Sequence, residues 1–327
     1  MKKILIIQTA SIGDAILATA LIESLHRAQP GVAIDFLVKK GNETLFIGHP
    51  FLNRIITWNK LSDKYSGLFR IIRQARQTNY DLVVNIQRFF TTGLLTVLSG
   101  ASETRGFSKN PLSFLFTRSA KHLIGSGIHE VTRNHALISD LADSANLRPR
   151  LYPSASDEEV VDAIVTGECY TISPASLWFT KQYPVEKWIE LIRNIPHETS
   201  IYLLGAPADQ TLCEQIISNS RHPGVISLAG KLTLLQSAAL MKSARMNFTN
   251  DSAPMHLASS VDAPITAIYC STIPGFGFGP LSSDSAIAEI SSPIPCRPCG
   301  LHGFTSCPKK HFRCARGIET KRLVERL

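Results

Sequence analysis

Asp14, close to the amino terminus, is the first residue whose type and position suggest chemistry. The apolar residues 4–7 predict a buried strand, and Ser11-Ile12-Gly13-Asp14 follows it as a tight turn into a helix. A carboxylate at the end of a strand can accept a proton from an attacking hydroxyl group. An aspartate in the first turn of a helix also stabilises that helix, through capping and through the helix dipole. The turn alone leaves both roles of Asp14 open.

A second polar segment, residues 249–256 (TNDSAPMH), follows another predicted strand. A helix is predicted to begin near Asp251 or Ser252, and the free N–H groups of a helix start suit a diphosphate. Because a carboxylate repels phosphate, Asp251 is expected to orient the loop or to bind sugar hydroxyl groups. His256 is within reach of a phosphate or a hydroxyl, but a single histidine on a helix is as often structural. The sequence leaves the role of His256 open.

A third candidate loop, residues 173–184, also follows a predicted strand. Ser176 and Thr180 can donate hydrogen bonds through their hydroxyl groups, and Lys181 supplies a mobile positive charge for phosphate. A single loop lysine is usually only solvated. The functional interpretation of Lys181 depends on its position after a strand of the same predicted domain as Asp251.

The seven cysteines are unevenly distributed along the chain. Three are scattered in apolar contexts and are expected to be buried as small side chains. The other four lie within 19 residues, with proline and glycine between them, a pattern that can fold around a tetrahedral zinc ion. A redox role for the single C-x2-C pair is disfavoured, because it does not begin a helix after a strand. The spacing predicts a structural zinc site with the ligands Cys296, Cys299, Cys307 and Cys314.

The elements that must position these side chains follow from an alternation of short apolar runs and longer helical patterns. Interleaved strands that are apolar on both faces predict parallel sheets covered by helices on both sides. Residues 147–156, which contain two prolines, are a candidate linker. The sequence predicts two doubly wound, Rossmann-like α/β domains, with ligands at the carboxyl ends of the strands. The predicted strands are residues 4–7, 33–38, 55–58, 81–86, 170–173, 201–204, 225–228, 246–249 and 265–269.

Composition supports this organisation. The 327 residues, of which 44% are hydrophobic and 18% charged, suffice for two cores and exclude widespread disorder. The formal net charge of +8 favours an anionic partner. Nucleic acid is not expected, because no interleaved aromatic and basic motif is present. The apolar run that follows Met1-Lys2-Lys3 is too short for a signal peptide, and no apolar stretch is long enough to span a bilayer. A cytoplasmic protein is therefore expected.

Residues 108–127 mix apolar side chains with Lys109, Arg118 and Lys121. One interpretation is a loop that leads into a buried helix or strand, and the sequence slightly favours it. The other is a basic, apolar lip that contacts an anionic lipid at a membrane interface.

Together these motifs resemble glycosyltransferase family 9, the ADP-heptose:lipopolysaccharide heptosyltransferases. The resemblance spans nearly the whole chain. It depends on KILIIQTASIGDAILATA at the start, NIQRFF near residue 85, the Lys181 loop that ends in Tyr183-Pro184, IYLLGAPAD around Gly205, LAGKLTLLQSAAL from Leu228 and TNDSAPMHLASS from Thr249. The cysteine-rich tail also resembles the tails of some members.

The resemblance implies a GT-B fold, in which two Rossmann-like domains face a central cleft. Residues 1–150 would form the acceptor-binding domain and residues 151–312, including the cysteine-rich tail, the nucleotide-sugar-binding domain, followed by a terminal helix over residues 313–327. Asp14 would be the catalytic base of an inverting single displacement that needs no metal, and Lys181 would meet the diphosphate. The predicted donor-binding residues are Ser176, Thr180, Lys181, Asp251, Ser252 and His256. The predicted acceptor-binding residues are Ser11, Gly13, Arg88, Lys109, Arg118 and Lys121.

The partners that the resemblance implies are ADP-heptose, or a related ADP-sugar, and an anionic glycolipid such as the lipopolysaccharide core. A monomer in peripheral contact with the cytoplasmic face of the inner membrane is expected, with no cofactor for catalysis. Ala253 stands where the family usually has glycine, and Tyr269-Cys270-Ser271-Thr272 replaces its usual Phe-Gly-Pro-Thr, which leaves the donor sugar open.

Two alternatives to the transferase stay open. A GT-B sugar-nucleotide epimerase would need further acid and base carboxylates, and the sequence offers no convincing set. A catalytically degenerate nucleotide-sugar-binding scaffold would require neither Asp14 nor Lys181, so the presence of both argues against it.

Overall fold

The computed structural model describes residues 2–327. Its chain divides into two compact units, Met1–Tyr152 and Pro153–Leu327, with a boundary inside the proline-containing segment 147–156. Each unit contains a six-stranded sheet. Every pairing between neighbouring strands of either sheet is parallel.

The first unit alternates strands with helices, and its strand order is β3-β2-β1-β4-β5-β6. Its elements are β1 (Lys3–Gln8), α1 (Ile12–Ala28), β2 (Ala33–Lys39), β3 (Leu52–Trp58), α2 (Lys64–Thr78), β4 (Leu82–Asn85), α3 (Phe90–Leu98), β5 (Glu103–Phe107), β6 (Arg118–Ala120) and α4 (Glu130–His135).

The second unit has the strand order β12-β11-β10-β7-β8-β9. Its elements are α5 (Ala155–Asp162), β7 (Cys169–Ser173), α6 (Val185–Ile192), β8 (Ser200–Leu203), α7 (Gln210–Ser220), β9 (Val225–Ser227), α8 (Leu234–Ser243), β10 (Met246–Asn250), α9 (Ala253–Ser260), β11 (Ile265–Tyr269), β12 (Ser285–Glu289), α10 (Arg313–Arg316) and α11 (Lys321–Val324).

The two units share one topology. If the strands of each unit are counted from its own first strand, both orders are 3-2-1-4-5-6, the order of a doubly wound Rossmann fold. Parallel strands need crossover connections, which place helices over the sheet and bury its strands on both faces. Accordingly, Ile4, Leu5, Ile6 and Ile7 of β1 are all fully buried. The predicted fold class, two doubly wound parallel sheets, is confirmed.

The sequence analysis did not predict three of the strands: β5 (ETRGF), β6 (RSA) and β12 (SAIAE). They are short and contain polar or small residues, so they lack the apolar run by which the other strands are found. Two of them, β6 and β12, are edge strands of their sheets. An edge strand has one neighbour fewer and needs less apolar surface.

The carboxyl-terminal segment differs from the single helix predicted over residues 313–327. It forms the two four-residue helices α10 and α11, and Gly317, a residue of low helix propensity, directly follows α10. Cys314, Ile318 and Leu323 are buried in the core of the second unit. No helix within residues 2–327 is long and apolar enough to cross a membrane.

Candidate functional site

In the first unit, four predicted site residues follow the carboxyl ends of adjacent strands. Asp14 lies in the first turn of α1 after β1, Arg88 follows β4, Lys109 follows β5 and Lys121 follows β6. These strands are parallel neighbours in the order β1-β4-β5-β6, so their carboxyl ends share one edge of the sheet. The structure thus brings one carboxylate and three basic residues to the same edge.

Arg118 lies elsewhere. It is the first residue of the three-residue strand β6 and pairs in register with Arg105 in the middle of β5, so it lies within the sheet rather than after a strand end. Its guanidinium lies 2.5 Å from a carboxylate oxygen of Asp140 and 3.4 Å from one of Glu103. Position and pairing thus separate Arg118 from the other predicted acceptor residues.

Asp14 and Ser11 form a capping box at the start of α1. Oδ2 of Asp14 accepts hydrogen bonds from the Ser11 hydroxyl at 2.5 Å and from the Ser11 backbone N–H at 3.3 Å. Gly13 is buried, whereas Ser11 is exposed and Asp14 is half-buried. The capping role that the sequence left open is therefore real. The capping box also holds the carboxylate in one orientation at the carboxyl-terminal edge of the sheet, and this orientation is compatible with a second role as a base.

A buried polar network that the sequence analysis missed supports the turn that leads to Asp14. The Gln87 side chain accepts a hydrogen bond from the Thr9 hydroxyl at 2.6 Å and donates one to Oε1 of Gln8 at 2.8 Å. The same Gln8 oxygen accepts the backbone N–H of Ala10 at 3.1 Å. Gln87 lies in the NIQRFF motif, and the only local signal was a polar residue directly after an apolar strand.

The segment 108–127 is a loop with one turn of 3-10 helix and the short edge strand β6. Phe114 is 77% exposed, and Leu115 and Leu123 are also exposed. Lys109 and Lys121 are exposed as well. The segment is thus a loop that leads to the largely buried helix α4, and it also exposes basic and apolar side chains at its surface.

In the second unit, Lys181 and Asp251 form an ion pair. Lys181 lies in the loop after β7 and Asp251 follows β10, and these two strands are parallel neighbours. The Lys181 Nζ is 2.7 Å from Asp251 Oδ2, and the two side chains are only 14% and 9% exposed. The Thr272 hydroxyl, in the turn after β11, donates to the same oxygen at 2.6 Å. Thr272 was not predicted as a site residue, although the sequence analysis had singled out its motif.

Asn250, at the end of β10, holds the Lys181 loop in place. Its side-chain amide donates to the carbonyl of Pro174 at 2.8 Å, and its Oδ1 accepts the backbone N–H of Tyr183 at 2.9 Å. Asn250 is fully buried. The sequence analysis did not single it out, because a bond between residues 67 positions apart leaves no local signal.

The remaining predicted donor residues are placed as follows. Ser252 is the N-cap residue of α9, and the residue is half-buried. His256 is buried in the first half of the same helix. Ser176 is half-buried, and its carbonyl accepts a hydrogen bond from the Gln182 side chain at 2.7 Å. Thr180 is buried, and its hydroxyl accepts hydrogen bonds from the Ser271 hydroxyl at 3.0 Å and from the Phe304 backbone N–H at 2.8 Å.

The structural zinc predicted from the spacing of the cysteines is not supported. Within residues 2–327, no three or more histidine, cysteine or acidic side chains are arranged to hold a metal ion. The Cys299 thiol instead donates to the carbonyl of Cys296 at 3.1 Å, and burial raises its pKa. Burial raises the pKa of the Cys314 thiol to about 11. Zinc binds thiolates, and both observations disfavour that form.

Comparison with known proteins gives three findings. The sequence model of glycosyltransferase family 9 (heptosyltransferase) matches residues 68–302. The chain is 26% identical to lipopolysaccharide heptosyltransferase 1 of Pseudomonas aeruginosa, over 95% of this chain and 90% of the relative. It is also 26% identical to an Escherichia coli lipopolysaccharide heptosyltransferase 3, over 80% of this chain and 81% of the relative.

Solved structures agree on the fold. E. coli ADP-heptose lipopolysaccharide heptosyltransferase II superposes with a TM-score of 0.81 at 20% identity, over 100% of this chain and 97% of that one. The E. coli heptosyltransferase WaaC with ADP gives a TM-score of 0.71 at 20% identity, over 87% and 92% of the two chains. These similarities identify a GT-B-like fold. Because the family's sequence model matches more than half of the residues, this chain belongs to glycosyltransferase family 9 and is a glycosyltransferase.

Proposed function

We propose that this chain transfers a heptosyl group from ADP-heptose, or from a related ADP-sugar, to a lipopolysaccharide-core glycolipid. The reaction inverts the anomeric configuration and needs no metal ion. One observation carries the proposal: in a member of family 9, a carboxylate and a lysine each follow a strand end at the ligand-binding edge of their own sheet. Relatives in this family are named lipopolysaccharide heptosyltransferases, which supports the choice of sugar and acceptor.

The second unit is the donor-binding unit in this proposal. Lys181 neutralises the diphosphate, and the start of α9 offers backbone N–H groups to the same phosphates. Asp251 keeps its hydrogen bond from Thr272 when Lys181 turns to a phosphate, so the carboxylate stays oriented towards the sugar hydroxyl groups. Ser176, Ser252 and His256 supply further polar contacts. As the bond from the anomeric carbon to ADP breaks, the charge of Lys181 stabilises the departing diphosphate.

The first unit binds the acceptor, and Asp14 acts as the general base. A hydroxyl oxygen of the acceptor attacks the anomeric carbon while its proton moves to the Asp14 carboxylate. One carbon–oxygen bond forms as the bond to ADP breaks, so the configuration inverts. Ser11 orients the carboxylate through the capping box. Gly13, the second residue of α1, is buried beside this turn.

Basic residues at the same edge suit an anionic glycolipid. Arg88, Lys109 and Lys121 provide positive charge, and the exposed Phe114 and its apolar neighbours suit lipid. We propose that this surface contacts the cytoplasmic face of the inner membrane peripherally and that the enzyme acts there as a monomer. Arg118 was predicted to bind the acceptor, but its guanidinium already meets two carboxylates, so we assign it a structural role.

The test is acceptor-dependent release of ADP from ADP-heptose, with a heptose-deficient core glycolipid, in wild type and in D14N. Loss of a general base is expected to lower the turnover rate by about 100- to 10,000-fold. Asp157 is a matched control, because it forms the same capping box with Ser154 at the start of α5. D157N removes an equivalent cap and is expected to keep the wild-type rate.

Two results would contradict the proposal. If D14N and D157N have the same rate, Asp14 serves only as a helix cap. If the wild type releases no ADP, and no nucleotide sugar raises its melting temperature, the degenerate-scaffold alternative becomes the better one.

A further inference from the structure

The cysteine-rich region contacts the proposed donor site, although no zinc site is supported there. Residues 297–304, which we call the clamp segment, lie between Cys296 and Cys307 and contact two loops of the proposed donor site. The segment begins with Arg297, whose side chain is only 10% exposed.

Arg297 holds the turn after β11. Its Nε donates to the carbonyl of Cys270 at 2.9 Å, and its Nη2 donates to the carbonyls of Tyr269 at 3.2 Å and Thr272 at 2.7 Å. Nη2 also lies 2.5 Å from a carboxylate oxygen of Glu289, the last residue of β12. A planar guanidinium can serve several acceptors at once, which an ammonium cannot do with the same geometry.

The rest of the clamp segment contacts both loops. The Cys299 backbone N–H donates to the carbonyl of Ser271 at 2.8 Å. Phe304 and Thr180 form a reciprocal pair: the Phe304 N–H donates to the Thr180 hydroxyl at 2.8 Å, and the Thr180 N–H donates to the Phe304 carbonyl at 3.1 Å. Thr180 directly precedes Lys181, so this pair fixes the backbone that carries the lysine.

Gly303 is where the backbone of the clamp segment lies close to Thr180 and Lys181. Its φ is +81°, in the left-handed region that favours glycine. A Cβ atom there would lie 2.8 Å from the Thr180 hydroxyl and 3.2 Å from Lys181 Cγ. A side chain at this position would therefore push against the loop that carries Lys181.

We propose that the clamp segment positions the Lys181–Asp251 pair for the donor, with Arg297 as its anchor. It acts on Asp251 through the turn after β11, whose Thr272 hydroxyl donates to that carboxylate, and on Lys181 through Thr180. Arg297 and Gly303 are positioning residues, since neither is assigned a contact with substrate. The inference rests on the proposed donor role of Lys181.

The experiment compares wild type with R297Q, R297K and G303A in the full-length chain. R245Q is the matched control, because Arg245 of the same unit forms an exposed ion pair with Glu168. Hydrogen–deuterium exchange of residues 177–183 and 270–272 is measured without ligand. ADP affinity is measured by calorimetry, and the kcat and KM for donor and acceptor by ADP release.

We expect R297Q and G303A to weaken ADP binding and raise the donor KM about tenfold, while the acceptor KM changes less than about twofold. Exchange at residues 177–183 is expected to accelerate, while exchange in α7 stays as in wild type. R297K is expected to resemble R297Q, because the lysine ammonium lacks the planar set of N–H donors by which the arginine guanidinium bonds several acceptors. R245Q is expected to match wild type throughout.

Two outcomes would overturn the proposal. One is wild-type exchange at residues 177–183 together with wild-type ADP affinity in both R297Q and G303A. The other is faster exchange across the whole second unit, which would reveal only a stabilising role. If R297Q does not fold, G303A and R297K decide between the outcomes. If the wild type shows no turnover, the proposed function fails, whereas exchange at residues 177–183 still decides whether the clamp segment positions the loop.

Discussion

The ion pair between Lys181 and Asp251 predicts an asymmetry between two substitutions. Its atoms are 2.7 Å apart, and both side chains are largely buried. K181M leaves a buried carboxylate with only the Thr272 hydroxyl as a partner. Removing one member of a buried pair costs about 3–5 kcal/mol, because the remaining charge is uncompensated. The free energy of unfolding of K181M is expected to fall by about that amount.

D251N is expected to cost less, about 1–2 kcal/mol. The asparagine side-chain oxygen can still accept the Thr272 hydroxyl, so one hydrogen bond is kept. The flexible lysine side chain is 14% exposed and can extend its ammonium group towards water. In the double variant K181M/D251N no charge is left unpaired. Its free energy of unfolding is therefore expected to lie about 2 kcal/mol above that of K181M.

The measurement is urea unfolding followed by tryptophan fluorescence in a W58F background. The chain has three tryptophans, and the remaining two, Trp178 and Trp188, both belong to the second unit. K242M is the matched control, since Lys242 forms an exposed pair with Glu158, and it is expected to change stability by less than about 0.5 kcal/mol. If K181M is no more destabilising than D251N or K242M, or if the double variant recovers nothing, the argument from a buried charge is wrong.

Three further predictions concern the first unit. Tyr80→Phe removes a hydroxyl that donates to the buried Asp35 carboxylate at 2.5 Å. The free energy of unfolding in urea is expected to fall by about 1.5–3 kcal/mol, and a fall of less than about 0.5 kcal/mol would contradict this prediction. Burial lowers the pKa of the His49 imidazole to about 4, so between about pH 6.5 and 4 the unfolded chain binds a proton that the folded chain does not. Stability is therefore expected to fall as the pH drops through this range, and His49→Gln should reduce that slope in urea titrations; equal slopes would refute the assignment. Gln87→Leu removes the support beneath the turn that leads to Asp14, so kcat for ADP release should fall about tenfold with an unchanged donor KM; an unchanged kcat would show that the turn holds without it.

Much of the architecture could be predicted from the sequence, because its signals are local. The apolar runs of β1, β7, β10 and β11 mark strands buried on both faces, and these strands lie within a residue or two of the predicted ranges. The capping box of Ser11 and Asp14 spans only four residues, so both the turn and the start of α1 were open to prediction. The positions of Asp14, Lys181 and Asp251 after strand ends follow from the same local pattern.

Contacts between distant parts of the chain depended on the tertiary structure. The strand order of each sheet places β7 beside β10, and only then does Lys181 meet Asp251. Asn250 and Gln87 act through bonds to residues far away in the chain, which no local pattern records. The short strands β5, β6 and β12 lack an apolar run, so their pairing depends on the strands already beside them.

Charge and spacing along the chain do not reveal two features of the structure. Arg118 shares a basic segment with Lys109 and Lys121, yet it stands at the start of β6 and pairs with Asp140 and Glu103. The four cysteines of the tail have a spacing that suits zinc, but within residues 2–327 no three or more possible ligands are arranged to hold a metal ion. The sequence determined which residues form strands, helix starts and strand-end loops, because these depend on near neighbours. The strand order and packing within each unit decided which of those side chains meet, because a hydrogen bond or an ion pair requires atoms within about 3–4 Å of each other in space.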